Sequence, residues 1–366
     1  LHVRVGVRPH LRVNGVLEQI ECEPVTLDLM EQTVAQILNE KQLERFYRKN
    51  EMDLALSVAK LGRFRINLYR QRGTTGIAIR AVNTGVPSFE DLNLPPVIKK
   101  LAHESRGLII VTGTTGSGKS TTLASVIEEM NANRGLNILS VEDPIEYIYR
   151  DKKCIISQRE VGGDTETFAS ALRHAFRQDP DVILIGEVRD LETMSIALTA
   201  ADTGHLVLTT LHTLNVVETV TRIVSFFPPH QHQQIRLLLA GTLRAIVCQR
   251  LLSRADTPGR VPALEIMVSS AAIRECIMNP DKTADITDLM AQGGTQYGMQ
   301  TFDQSIMKHY RAGLISFEDA IAAASNPDDF DLRLKGITGA ADRWEESGDK
   351  PAPTQKADLP AGFQKL

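Results

Sequence analysis

The chain has 366 residues, 42% of them hydrophobic and 23% charged, with a formal net charge of −4. That length exceeds one ordinary core and predicts two domains, and the negative balance gives no bulk attraction to nucleic acid, so no nucleic-acid partner is expected. Apolar runs such as Val182 to Ile185 and Leu237 to Ala240 fall far short of the roughly 18 residues a membrane span needs. The start, Leu1-His-Val-Arg-Val5, carries neither an initiator Met nor a hydrophobic signal region, which predicts a beginning inside a longer gene product and a cytoplasmic location.

From Leu1 to Asn83 the pattern predicts a small α+β sheet domain. His2 to Val7 and Leu11 to Val13 read as strands around Arg8-Pro9-His10, and Asn14-Gly15 offers a turn. Leu27 to Leu38 has the apolar spacing of one helix, and Leu54 to Val58, Phe64 to Tyr69 and Ile77 to Ala81 are further strands. Residues 84–96, with three prolines and few periodic apolar positions, read as a linker. A second domain then runs over 97–337: a helix to His103, a strand at 107–112, a helix at 118–133, a strand from Asn137 to Val141 and a helix near 165–177. A strand from Val182 to Ile185, a helix at 190–202, a strand from His205 to Thr210 and several more helices follow. Such alternation predicts an α/β fold, a mainly parallel sheet with helices on both faces. The last stretch, 338–366, lacks apolar periodicity and is expected to be disordered. Cys22, Cys154, Cys248 and Cys276 are scattered without C-x-x-C spacing, as reduced thiols are.

Residues Gly113-Thr114-Thr115-Gly116-Ser117-Gly118-Lys119-Ser120 fill every fixed position of the G-x-x-x-x-G-K-[ST] phosphate-binding loop, directly after an apolar strand. Its glycines let backbone N–H groups face the phosphates of a nucleoside triphosphate, and the following helix adds its positive end. Lys119 is expected to reach the β- and γ-phosphates of ATP and Ser120 to hold Mg²⁺, while Thr121 and Thr122 suit either the α-phosphate or a cap. Glu187 ends the apolar strand Val182-Ile-Leu-Ile-Gly-Glu187, where a carboxylate holds Mg²⁺ or acts as the base. In Val141-Glu-Asp-Pro-Ile-Glu146, after a strand expected to neighbour the phosphate loop, Glu142, Asp143 and Glu146 all compete to activate a water. His212 suits a sensor that hydrogen-bonds the γ-phosphate or an acidic neighbour, and for His205 a structural role competes nearly equally with that one. Arg63, Arg65, Arg70, Arg72 and Arg80 crowd adjacent strands of the first domain, each a cation for the transition state or part of a solvated strand face, whereas Arg173, Arg177 and Arg189, near Glu187, suit interfaces more than catalysis.

Taken in order, the phosphate loop, Glu142-Asp-Pro-Ile-Glu146, Gly186-Glu-Val-Arg-Asp190 and Gly204-His205 with Leu211-His212 resemble the four boxes of the secretion ATPases. With Gln158-Arg-Glu-Val161, Leu191-Glu-Thr193 and Gly298-Met-Gln-Thr-Phe302, the set is similar to the type IV pilus retraction motors of the PilT and PilU group. The resemblance implies a PAS-like N-terminal domain, a RecA-like P-loop ATPase domain and a homo-hexamer. It implies a motor that removes pilin subunits against an inner-membrane platform protein, peripheral to that membrane at the pilus base, in some cases with a second retraction ATPase. It makes Glu146 the catalytic carboxylate, Glu187 the acid of the magnesium-binding strand and His212 and His205 the histidine-box residues. Arg65 and Arg80 then match arginines that reach the nucleotide from the first domain.

Where retraction motors carry Ala-Ile-Arg-Asn-Leu-Ile-Arg-Glu, this chain has Ala272-Ile-Arg-Glu-Cys-Ile-Met-Asn279, which leaves main and accessory motor both open. Pilus-extension and type II secretion ATPases carry a cysteine-rich insert that is missing from this sequence. A nucleotide-regulated scaffold of low turnover is the rival from another class.

Overall fold

A computed structural model describes residues 1–13, 16–83 and 85–335; the expected turn at Asn14-Gly15 and the tail at 338–366 lie outside them. The chain builds two sheets, each with its own core. In the first, β1 (His2–Arg4), β2 (His10–Val13), β3 (Val16–Gln19), β4 (Glu51–Val58), β5 (Gly62–Gln71) and β6 (Thr74–Ala81) pair antiparallel in the order β3-β2-β1-β6-β5-β4. Helices α1 (Leu27–Ile37) and α2 (Glu40–Lys49) cover one face, where Met30, Val34 and Phe46 meet Met52, Ile66, Leu68 and Ile77. Period-two alternation sends the intervening residues to the other face, so Arg63 and Arg65 on β5 and Arg80 on β6 point away from that core. Arg65 and Arg80 are directly opposite in register.

Two elements of this sheet differ from expectation. β3 lies where no strand is predicted, and α2 makes a second helix where one is expected. The α2 sequence, Glu-Lys-Gln-Leu-Glu-Arg-Phe-Tyr-Arg-Lys, buries only Phe46 completely, so its apolar stripe is thin; an Asn39–Gln42 capping box starts it instead.

The second sheet has the order β13-β12-β7-β11-β10-β8-β9. Its strands are β7 (Gly107–Thr112), β8 (Asn137–Glu142), β9 (Ile155–Glu160), β10 (Val182–Ile185), β11 (Leu206–Leu211), β12 (Leu243–Ser253) and β13 (Arg260–Val268). All neighbours are parallel except β12 and β13. The expectation that β8 neighbours the phosphate-loop strand is overturned, because β11 and β10 lie between β7 and β8. Burial explains the order: β7, β10 and β11 are wholly buried and take the centre, whereas β9 is half exposed and takes the edge beside β8.

Each central strand divides its side chains between two cores. Leu108 and Ile110 share a core with α6 (Leu191–Asp202), α7 (Val216–Ser225) and α8 (His232–Thr242). Ile109 and Val111 face α3 (Pro96–Leu101) and α4 (Lys119–Asn133), while α5 (Phe168–Ala175) joins the first of these layers. β9, β12 and β13 are not expected; in β12 and β13 apolar and polar residues follow one another without strict alternation, so no period-two signal marks them as strands. Phe89 and Leu94, inside the stretch read as a linker, are buried in the α3 and α4 core, and Ser125 Oγ donates to the Pro87 carbonyl at 2.8 Å. Among the described residues no helix is long and apolar enough to cross a membrane.

Candidate nucleotide site

The loop between β7 and α4 turns on glycines with left-handed backbone, Gly113 at φ 137°, Gly116 at 80° and Gly118 at 91°. A Cβ on Gly113 would fall 2.3 Å from the Gln249 carbonyl oxygen and 2.6 Å from Ser117 Oγ, so only glycine allows this approach to β12. Gln249 also accepts a hydrogen bond from Thr122 Oγ1 at 2.8 Å, tying the first turn of α4 to the same strand. Thr114, Thr115 and Gly116 are exposed at the loop tip, and Ser117 is buried.

Lys119 is buried, and its Nζ donates to the carbonyls of Gly113 at 2.8 Å and Thr114 at 3.0 Å. Burial pulls its pKa down, and the carboxylates of Glu187 and Glu146 act in the opposite direction. Ser120 lines a cavity of about 30 Å³ with Glu142, Glu146, Tyr147, Tyr149 and Thr210, room for about one water. Thr121 Oγ1 lies 3.0 Å from the Tyr147 hydroxyl.

The three carboxylates after β8 separate by environment. Glu142 is buried; it accepts from Ser140 Oγ at 2.7 Å and Gln158 Nε2 at 3.3 Å, and burial pushes its pKa up. Asp143 is exposed. Glu146 has a side chain 48% exposed, faces the cavity and lies 3.9 Å from Arg65 Nη2. A firmly held, proton-favouring carboxyl suits structure, and the open one suits water activation.

Glu187 sits between Arg189, with which it forms an ion pair, and His212, whose Nε2 lies 3.3 Å from its Oε2. Thr210 Oγ1 donates to the Gly186 carbonyl at 2.7 Å and so fixes the neighbouring strand end. His205 lies at the other end of β11, held by the Ala200 carbonyl at 3.1 Å and edge-on to Phe176, which is a structural role. Arg65 donates to the Ile145 carbonyl at 2.6 Å and the Pro144 carbonyl at 3.3 Å, with Arg80 exposed beside it. Arg70 is spent on the Gly73 carbonyl and on the Phe46 and Tyr47 rings, and Arg173 pairs with Glu192.

The buried cradle at Gly113 and Lys119, tightened by Gln249, fits the phosphate chain of a nucleotide. Among the described residues no three His, Cys, Asp or Glu side chains group as a metal site.

The profile described as Type II/IV secretion system protein matches residues 8–322. The chain belongs to that family. Within it, the chain is 41% identical over 335 residues to the type IV pilus ATPase PilU of Pseudomonas aeruginosa, spanning 92% of this chain and 87% of the relative. It is also 41% identical over 330 residues to the type IV pilus retractation ATPase PilT of the same organism, spanning 90% of this chain and 95% of the relative. The crystal structure of the pilus retraction motor PilT with bound ADP superposes with a TM-score of 0.83 at 41% identity, over 89% of this chain and 93% of that one. The two sheets accordingly form a RecA-like P-loop ATPase fold with a smaller N-terminal α+β unit.

Gln249, against Gly113 and Thr122, and Tyr147, beside Thr121 and the cavity, border the site and are not picked out by the sequence. Gln249 lies on a strand that was not expected, and Tyr147 sits one residue beyond the acidic turn. Only the glycine demanding a close backbone neighbour at position 113 pointed towards such a partner.

Proposed function

We propose that this chain is an ATP-hydrolysing motor, working as a homo-hexamer, that retracts a type IV pilus by removing pilin subunits at its base. Residues 1–83 and 97–337 act as its two bodies, joined through 84–96, on the cytoplasmic side of the inner membrane against a platform protein. The chain is an ATPase of the secretion family, and the observation that carries the motor reading is Arg65. It reaches from the first sheet to the turn bearing Glu146, so the site spans both bodies and their angle can follow the nucleotide.

In this reading Lys119 exchanges its loop carbonyls for β- and γ-phosphate oxygens. Ser120 and Glu187 hold Mg²⁺, which neutralises phosphate charge when bound. Glu146 orients and deprotonates the attacking water in the cavity beside Ser120, and His212 holds Glu187 in place. Arg65 and Arg80 supply positive charge near the γ-phosphate. The equal 41% identity to PilU and PilT keeps an accessory retraction motor as the second reading.

Glu146→Gln is expected to keep ATP affinity within a few-fold while lowering turnover by at least about 100-fold. Binding measured with a fluorescent ATP analogue and turnover by phosphate release decide it; equal loss of both would sink the assignment.

A further inference from the structure

The turn from Asp143 to Tyr149 is bonded at nearly every peptide group around Glu146, and several of those bonds come from the first sheet. Arg65 Nε and Nη2 both donate to the Ile145 carbonyl, at 3.2 Å and 2.6 Å, and Nη2 also reaches the Pro144 carbonyl. The N–H of that same Ile145 donates to Glu160 Oε2 at 3.3 Å, and this oxygen is 3.5 Å from Arg63 Nη2. Ile145 is therefore held at its carbonyl by Arg65 and at its N–H by Glu160, the carboxylate that Arg63 pairs with, and the two arginines stand two positions apart on one face of β5. Where the chain leaves β6, the Asn83 carbonyl accepts from the Ile148 N–H at 3.1 Å. From the other side Gln158 donates to the Tyr147 carbonyl at 2.8 Å and accepts from the Tyr149 N–H at 3.1 Å.

The Glu146 side chain stands outside this scheme. Its half-exposed carboxylate pairs with Arg65 at 3.9 Å, while the backbone that carries it is held on both flanks. Charge-assisted bonds to a backbone hold it more firmly than neutral ones. A displacement of about 1 Å in a reacting group costs about 100-fold in rate.

We propose that Arg63 and Arg65 are positioning residues: Arg65 through the Pro144 and Ile145 carbonyls, and Arg63 through Glu160, set the place of the Glu146 carboxylate above the phosphate loop. The first sheet thus governs hydrolysis by moving the turn, in the same chain, and Glu160 is the link that converts Arg63 into a constraint on Ile145. This rests on the ATPase reading for its kinetic consequence and on geometry alone for the clamp itself.

Arg63→Ala, Arg63→Lys and Glu160→Gln separate the possibilities. Hydrogen exchange of the peptide spanning 143–149 reads the clamp without activity: Arg63→Ala is expected to speed Ile145 exchange by about ten-fold, and Arg63→Lys by less. In turnover assays Arg63→Ala and Glu160→Gln are expected to lower kcat about ten-fold with nucleotide Kd changed less than about two-fold, and Arg63→Lys to restore part of the rate. Unchanged exchange overturns the clamp. Unchanged kcat despite faster exchange overturns its role in hydrolysis, and Kd rising in step with the loss of kcat means that Arg63 acts on the nucleotide directly and not through the turn. Absence of turnover in the unsubstituted chain would count against the ATPase reading alone, and the exchange result would still decide whether the clamp exists.

Discussion

Lys119 holds two carbonyls of its own loop, so its ammonium is already oriented where phosphate oxygens would replace them. Lys119→Ala removes both the charge and that orientation and is expected to abolish ATP binding in a titration that the unsubstituted protein saturates; retained affinity would contradict the loop assignment. A second residue tests the electrostatics of the core. Glu265 on β13 is buried at 5% exposure, and burial pushes its pKa from 4.5 up to about 7, against the Val216 N–H and Arg250 and with Asp303 adding to the rise. Because the folded state holds this proton more tightly than the unfolded chain, stability is full below about pH 4.5 and is lost as pH rises through about 7. Glu265→Gln is expected to raise the melting temperature by a few degrees at pH 8, with the gain shrinking towards pH 5; a shift of this size corresponds to up to about 3 kcal/mol. The phosphate loop was fully legible in the sequence, since its residues act through a local turn. Gln249 was not, because it acts across the sheet from a strand whose residues have no readable period. The contest among Glu142, Asp143 and Glu146 needed burial to distinguish them by environment, and burial of an acid after a strand leaves no mark in sequence.

At the scale of elements, the ends of β8 and β10 come together over Gly186. A Cβ there would lie 3.2 Å from the Glu142 Cα and 3.3 Å from the Val141 carbonyl, tight enough to push the two strand tips apart by a few tenths of an ångström. Gly186→Ala is therefore expected to leave far-UV circular dichroism unchanged while lowering kcat several-fold, because Glu146 and Glu187 descend from those two tips. An unaltered kcat would show that the spacing of the tips is not critical. The strands β7, β10 and β11 were legible because each is short and mostly apolar between turn residues, and α4 and α6 because they follow them at α/β spacing. Strand order was not legible. The chain leaves β7 for β8, yet the places beside β7 go to the later strands β11 and β12, a competition that only the assembled sheet resolves.

For the whole molecule, the exposed guanidinium of Arg80 beside the bonded Arg65 is the group best placed to serve a neighbouring copy. Turnover per subunit is expected to rise steeply with protein concentration through the range of ring assembly, and Arg80→Ala to flatten that rise. Turnover independent of concentration would mean that each chain completes its own site. The division into two bodies was legible in composition, but the intimacy of their junction was not, since the stretch at 84–96 reads as free chain and yet sends Phe89 and Leu94 into the second core. The chain leaves β6 at Ala81, touches Tyr147 through the Asn83 bridge and is anchored at Pro87. Fully extended, the six steps from Ala81 to Pro87 reach at most about 20 Å. A leash this short keeps the first sheet within reach of the phosphate loop, so a motor of the kind proposed would have to direct its work into rotation and not into separation.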